Sequence, residues 1–189
     1  MAAPPAVLMM ERAARPRPEL RELLGSERAA GVERLLVARA MEWGDALSHG
    51  RVTTAGDDEG LADAVERAFI AAGSSPVVVV WPVLPRWRPA HAEAVLDDLA
   101  AGCEASVAPV FDGGLYLLAL ARSMPAVLAL PAETWDSPDV IGAVLAPINA
   151  ARAPVGLVRP EAALRRPADV RAALADPLLD AELRALLEG

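Results

Sequence analysis

The 189-residue chain has no lysine; apart from two histidines, its positive charge is carried by 18 arginines, set against 26 acidic residues. The resulting net charge of -8 and isoelectric point near 4.8 exclude non-specific binding to nucleic acid, because a polyanion is held by clustered positive charge that releases its counterions. The densest basic stretch, Arg12, Arg15, Arg17 and Arg21, is sparse and broken by prolines. With a single cysteine, Cys103, no intrachain disulfide can form, which fits a reducing compartment. No basic neighbour in sequence would depress its pKa, so Cys103 reads as a buried structural thiol. No apolar run approaches the ~20 residues of a membrane span, and the start, "MAAPPAVLMM", lacks a basic leader. The expectation is a cytoplasmic protein without a membrane segment. Aromatics make up only 4% of the chain, so the core must be built from Ala, Val and Leu, and four tryptophans stand out against it.

Several strong motifs are also missing. The chain has no G-x-G-x-x-G after its first apolar run, no phosphate loop ending in Gly-Lys-Ser/Thr, no G-x-S-x-G elbow, and no paired Cys or His ligand spacing. His49 and His91 lie outside any metal pattern and read as exposed loop or helix-start positions.

What is present is a 54% hydrophobic, 23% charged sequence with enough apolar surface for one folded domain over residues 1–189. Apolar runs at 6–10, 51–55 (weak), 76–82, either side of 112–114, and at 154–159 read as strands. Between them, 26–47, 60–73, 89–102, 135–152 and two short segments divided at Asp176-Pro177 carry helical patterns. Ser26 is the expected cap of the longest helix, and Pro147 is expected to kink or end the fourth. Strands alternating with helices imply an α/β three-layer sandwich with a mostly parallel, Rossmann-like mixed sheet. In "PVVVVWP" both alternating faces are apolar, as in a strand covered on both sides.

Candidate site residues each carry two readings. Asp57, Asp58 and Glu59 are either a solvated helix start or oxygen ligands for Mg²⁺ or Mn²⁺. Asp97 and Asp98 read as a solvent face. Trp81 and Trp87 flank "PVLPR" at the carboxyl end of a strand, where open α/β sheets bind ligands, yet aromatic packing explains them equally well. In "PVFDGGLYLLAL", Asp112-Gly113-Gly114 is either a hairpin turn or part of a site.

The order of these features resembles the nucleotide-diphospho-sugar transferase superfamily, the glycosyltransferase A fold, and within it a small bacterial glycosyltransferase-like branch. The resemblance runs from about residue 6 to 175 and is most specific over 76–140. Pro109, Asp112, Gly113, Gly114, Tyr116 and Leu118 fit the branch's Pro-x-x-Asp-Gly-Gly-Tyr-x-Leu motif, with Tyr116 one place beyond the usual aromatic. Trp135 and Ser137 fit its Trp-Ser/Thr helix start, with Asp136 intervening. Elsewhere the motifs are degraded. Val83 falls where the family has its metal-holding aspartate, although Pro85 is kept. "RPRPELRELLG" lacks the glycine and lysine of the phosphate loop, "EGLAD" keeps Leu61 but not the aspartate before it, and "ALRRPADV" keeps Pro167 and Asp169 but neither earlier aspartate.

The resemblance implies a diverged, catalytically inactive nucleotide-sugar transferase-like protein that binds a small ligand or partner. The alternatives are an active glycosyltransferase or nucleotidyltransferase, and a protein-interaction module presenting an exposed Trp87. The resemblance suggests Asp112 as the catalytic candidate. As ligand-binding candidates it suggests Gly113, Gly114, Tyr116, Trp81 and Trp135, together with the phosphate-positioning arginines Arg15, Arg17 and Arg21. A nucleotide or nucleotide sugar is the implied partner. No cofactor is evident, and Mg²⁺ or Mn²⁺ enters only with the active-transferase alternative.

Overall fold

The computed structural model describes residues 4–56 and 58–189; Asp57, the first of the three acids above, lies outside the described residues. Six strands, β1 (Ala6–Met9), β2 (Val52–Thr54), β3 (Val77–Val80), β4 (Ala105–Pro109), β5 (Leu115–Leu120) and β6 (Val155–Leu157), form one sheet in the order β2-β1-β3-β5-β4-β6. β1 is parallel to β2 and β3, and β4 is parallel to β6. β5 alone is antiparallel to its neighbours β3 and β4. The connection between β4 and β5 is too short for a crossover, so β5 must fold back as a hairpin. The reversal brings the 112–114 turn to the sheet end where the other five strands have their carboxyl termini.

Eight helices accompany the sheet among the described residues: α1 (Pro18–Leu24), α2 (Ser26–Ser48), α3 (Leu61–Ala72), α4 (Pro89–Ala100), α5 (Pro125–Leu128), α6 (Val140–Ala150), α7 (Pro167–Ala175) and α8 (Ala181–Glu188). Every residue of β1, β3, β4 and β5 is buried, so both faces of the central sheet are covered and the architecture is the expected α/β sandwich. Val7, Leu8, Val78, Val79, Leu117 and Leu118 lie in the main core. A second apolar cluster joins Leu20, Leu24, Val32 and Leu36 to Leu164, Val170, Leu183 and Leu187.

The structure corrects several local expectations. Gly25, at φ +80°, is the residue that caps α2, and Ser26 is already helical. Pro147 does not end α6, which runs on to Ala150. The proline removes one N–H only, close to the helix end, while Val140, Val144 and Ile148 hold one face of α6 in the core. Cys103 is half-buried rather than buried. Asp97 is exposed as expected, but Asp98 is half-buried and accepts a 2.5 Å hydrogen bond from Ser106 Oγ. Ser106 is fully buried in β4 and its hydroxyl needs a partner there. Gly156 on the adjacent β6 leaves the room, because a Cβ there would overlap the Asp98 carboxylate.

Candidate ligand site at the carboxyl end of the sheet

A cavity of about 380 Å³ opens where β1, β2 and β3 end, within the range of small-molecule sites. Its walls come from Met10–Ala13 after β1, residues 55, 56 and 58–62 after β2, Trp81 after β3, and residues between 128 and 136. Hydrogen bonds from Met10 N–H to the Val80 carbonyl (2.9 Å) and from Ala55 N–H to the Met9 carbonyl (3.0 Å) tie the first two walls to the sheet. Glu59 fixes the second loop. It accepts from Gly56 N–H at 3.0 Å and is gripped by Arg67 at 2.9 and 2.6 Å, while Arg67 Nη2 also donates to the Thr54 carbonyl. The Arg67 side-chain hydrogen bonds, and then the Gly56 N–H, hold the Glu59 carboxyl down at about 2.

Trp81 and Trp135 both line this cavity, and they stack on one another with centroids 6.0 Å apart and planes 21° apart. At 3% and 8% exposed the rings pack chiefly against protein, so aromatic packing at the sheet end accounts for most of their surface. The polar lining is acidic: Glu11, Asp58, Glu59 and Asp136 against Arg12. Carboxylate oxygens only accept hydrogen bonds, which suits a ligand rich in hydroxyl and N–H groups.

Beside the cavity stands the β4–β5 turn. Gly113 N–H donates to the Val110 carbonyl at 3.0 Å, Val110 N–H to the Gly114 carbonyl at 2.8 Å, and Gly114 N–H to Asp112 Oδ1 at 3.4 Å. Gly113 has φ +95°, and a Cβ there would collide with the Pro138 carbonyl group; only glycine fits. Asp112 does not line the cavity. Its side chain is nearly buried, with Oδ2 at 3.8 Å from Arg166 Nε. Arg165 lies directly over the turn, so close that a Cβ on Gly114 would sit 2.9 Å from Nη1. Sequence reading missed Arg165 because "ALRRPADV" drew notice for its lost aspartates. The available signal was the pair of arginines immediately before a Pro-x-Asp helix start.

Tyr116 and Trp87 belong to a different place. Tyr116 is fully buried, donates its hydroxyl to the Arg159 carbonyl at 3.3 Å, and has burial, then the Glu161 charge, pushing its pKa up to about 12. Trp87 is half-buried rather than exposed, packed against Trp43, His91 and Tyr116. His91 is at a helix start as expected but is only 3% exposed. Its Nδ1 accepts from Arg88 N–H at 3.3 Å, its Nε2 accepts from Arg88 Nε at 3.3 Å, and Glu161 Oε1 lies 3.4 Å from Nε2. Burial first, with Arg88 and Arg86 adding to it, lowers the His91 pKa against the opposing pull of Glu161. Arg88 also pairs with Glu161, and the isolated bridge between Val110 and Glu161 joins this network to the hairpin.

None of Arg15, Arg17 and Arg21 lines the cavity. Arg15 Nε lies 3.7 Å from Glu33, Arg21 is exposed on α1, and Arg17 is exposed just before it. Among the described residues no three His, Cys, Asp or Glu side chains converge to hold a divalent cation. Val83 is buried in the core at 1% exposure, and hydrocarbon supplies no ligand.

An α/β sheet with one reversed strand, and a crevice at the carboxyl ends of its parallel strands, defines a nucleotide-sugar transferase type of fold. The whole chain superimposes with a TM-score of 0.70 on the crystal structure of a protein from Desulfovibrio desulfuricans G20 whose description reads "putative nucleotide-diphospho-sugar transferase", covering 100% of this chain and 95% of that one at 19% identity. The chain therefore has the nucleotide-diphospho-sugar transferase fold. No protein-family model and no curated protein sequence matches it. Among the described residues no helix is long and apolar enough to cross a membrane.

Proposed function

We propose that the chain is a diverged, non-catalytic protein of this fold that acts as one cytoplasmic domain and binds a nucleotide or nucleotide sugar at the carboxyl end of its sheet. The cavity beside Trp81 and Trp135 carries the reading. It lies where open α/β sheets receive ligands, and its acidic lining offers acceptors to the hydroxyl and N–H groups of a sugar or base. Support for binding without transfer comes from the donor set, since Val83 is hydrocarbon and Asp112 is engaged by its own turn and by Arg166. On this reading the protein uses no Mg²⁺ or Mn²⁺.

The test is a thermal-stability titration with nucleoside diphosphates and nucleotide sugars, with and without Mn²⁺, alongside an assay for nucleoside diphosphate release. A ligand bound only by the native state raises the melting temperature. Metal-independent stabilisation without release is expected. Release that requires the metal would instead establish an active transferase, and no stabilisation by any member would remove the cavity reading.

A further inference from the structure

Arg165 is the one buried arginine among the described residues, at 6% exposed. An arginine at that depth ordinarily has its five N–H donors met by a carboxylate or by carbonyl groups. Arg165 uses only its backbone in this way: its N–H donates to Asp169 Oδ2 at 2.9 Å and its carbonyl accepts from Arg17 N–H at 3.4 Å. Among the described residues its guanidinium makes no hydrogen bond or ion pair. The nearby carboxylates are occupied elsewhere. Asp112 receives Gly114 N–H and faces Arg166, and Asp169 receives two backbone N–H groups and Arg166 Nη2.

Counted by charge this corner is balanced, with Arg17, Arg165 and Arg166 set against Asp112, Asp136 and Asp169. Counted by hydrogen bonds within the protein it is not, because no described residue accepts from the Arg165 guanidinium. Nor are its donors sealed in: Trp87 Nε1 is the only buried, unpartnered side-chain nitrogen among the described residues, so the Arg165 guanidinium retains access to solvent. Burial, partly opposed by Asp112, lowers its pKa, and Arg17 adds to the lowering. Asp136, within electrostatic range of Arg165, also lines the neighbouring cavity.

We propose that Arg165, assisted by Arg17, is a phosphate-binding site in which a fixed guanidinium supplies the positive charge that a divalent cation would otherwise bring to a diphosphate. The planar guanidinium fork matches two phosphate oxygens at once, and the absence of a side chain on Gly114 leaves room for the guanidinium itself against the turn. The anion site stands on Arg165 itself; its assignment to the diphosphate of a ligand that also fills the cavity rests on the function proposed above.

The probe is inorganic pyrophosphate in excess EDTA, followed by thermal stability and by calorimetry. Wild-type protein should be stabilised, less so at high salt. Arg165→Met should weaken pyrophosphate binding by about tenfold or more. Arg17→Ala, at an exposed position, should weaken binding several-fold without altering the fold. Unchanged affinity in both variants, stabilisation only when Mg²⁺ is added, or a large loss of ligand-free stability in Arg165→Met with unchanged binding in Arg17→Ala would each overturn the proposal. A nucleoside lacking phosphate separates the two readings. If it binds while both variants keep full pyrophosphate affinity, the arginine site is wrong and the cavity stands. If pyrophosphate binding depends on Arg165 but no nucleoside, nucleotide or nucleotide sugar binds, the arginine site stands and the cavity reading falls.

Discussion

The acidic crevice and the arginine corner share one sheet end and one residue, Asp136, yet they are built differently. Four segments widely separated in the chain form the crevice, and they place Glu11, Asp58, Glu59 and Asp136 around hydrocarbon and indole. The corner comes from a tight turn and the segment before α7, which bring Asp112, Gly113 and Gly114 against Arg165 and Arg166. The crevice is lined by more acceptors than donors, with four carboxylates against Arg12. The corner holds donors without matching acceptors. A molecule with a hydroxyl-rich body and an anionic group would satisfy both, which neither region could do alone.

Removing the crevice floor should have the largest effect. Trp135→Ala empties the stack against Trp81 and should cost about 3–5 kcal/mol of folding stability, read by denaturant unfolding, while any protein that remains folded keeps its response to pyrophosphate. Loss of that response would show that the two regions are one unit. At the corner, Gly113→Ala forces a Cβ into the Pro138 carbonyl group at φ +95°. It should cost about 2–3 kcal/mol and weaken pyrophosphate binding more than nucleoside binding.

Two pH effects bear on the supports behind each region. His91, next to the corner through Glu161, has a folded pKa below its ordinary value. Its contribution is therefore fully present above about pH 6.5 and is lost as the pH falls, because the unfolded chain takes up the proton that the buried ring refuses. Thermal melts between pH 7 and 5 should show the decline, and His91→Gln should flatten it. Glu59 at the crevice has a carboxyl held at about 2 against an ordinary 4.5. Its contribution is present above 4.5 and is lost as the pH falls towards 2. Since the pair is exposed, this should be the smallest effect, visible as a shallower acid limb in Glu59→Gln.

Much of the fold was legible from pattern. "PVVVVWP" announced a strand buried on both faces because every one of its residues is apolar, and Asp112-Gly113-Gly114 announced a turn because positive φ selects glycine. The site was less legible. Tyr116 and Trp87, read as ligand or partner contacts, proved to pack around His91, since an aromatic ring does not reveal from sequence which neighbour will cover it. Asp98 read as a surface acid because helical periodicity says nothing of Ser106 waiting on the adjacent strand. Arg165 looked like one arginine among many, for its depth depends on a hairpin fifty residues earlier in the chain.

By itself the sequence determined the alternation of strands and helices, the place of the hairpin and the hydrocarbon at Val83, because apolar period, glycine conformation and side-chain chemistry are local properties. Tertiary structure alone decided that the tryptophans would stack on each other and that the acids would gather around one cavity. It also decided that a single guanidinium would be buried with its donors unfilled by the protein, because burial and partner choice depend on which distant segments the sheet brings together.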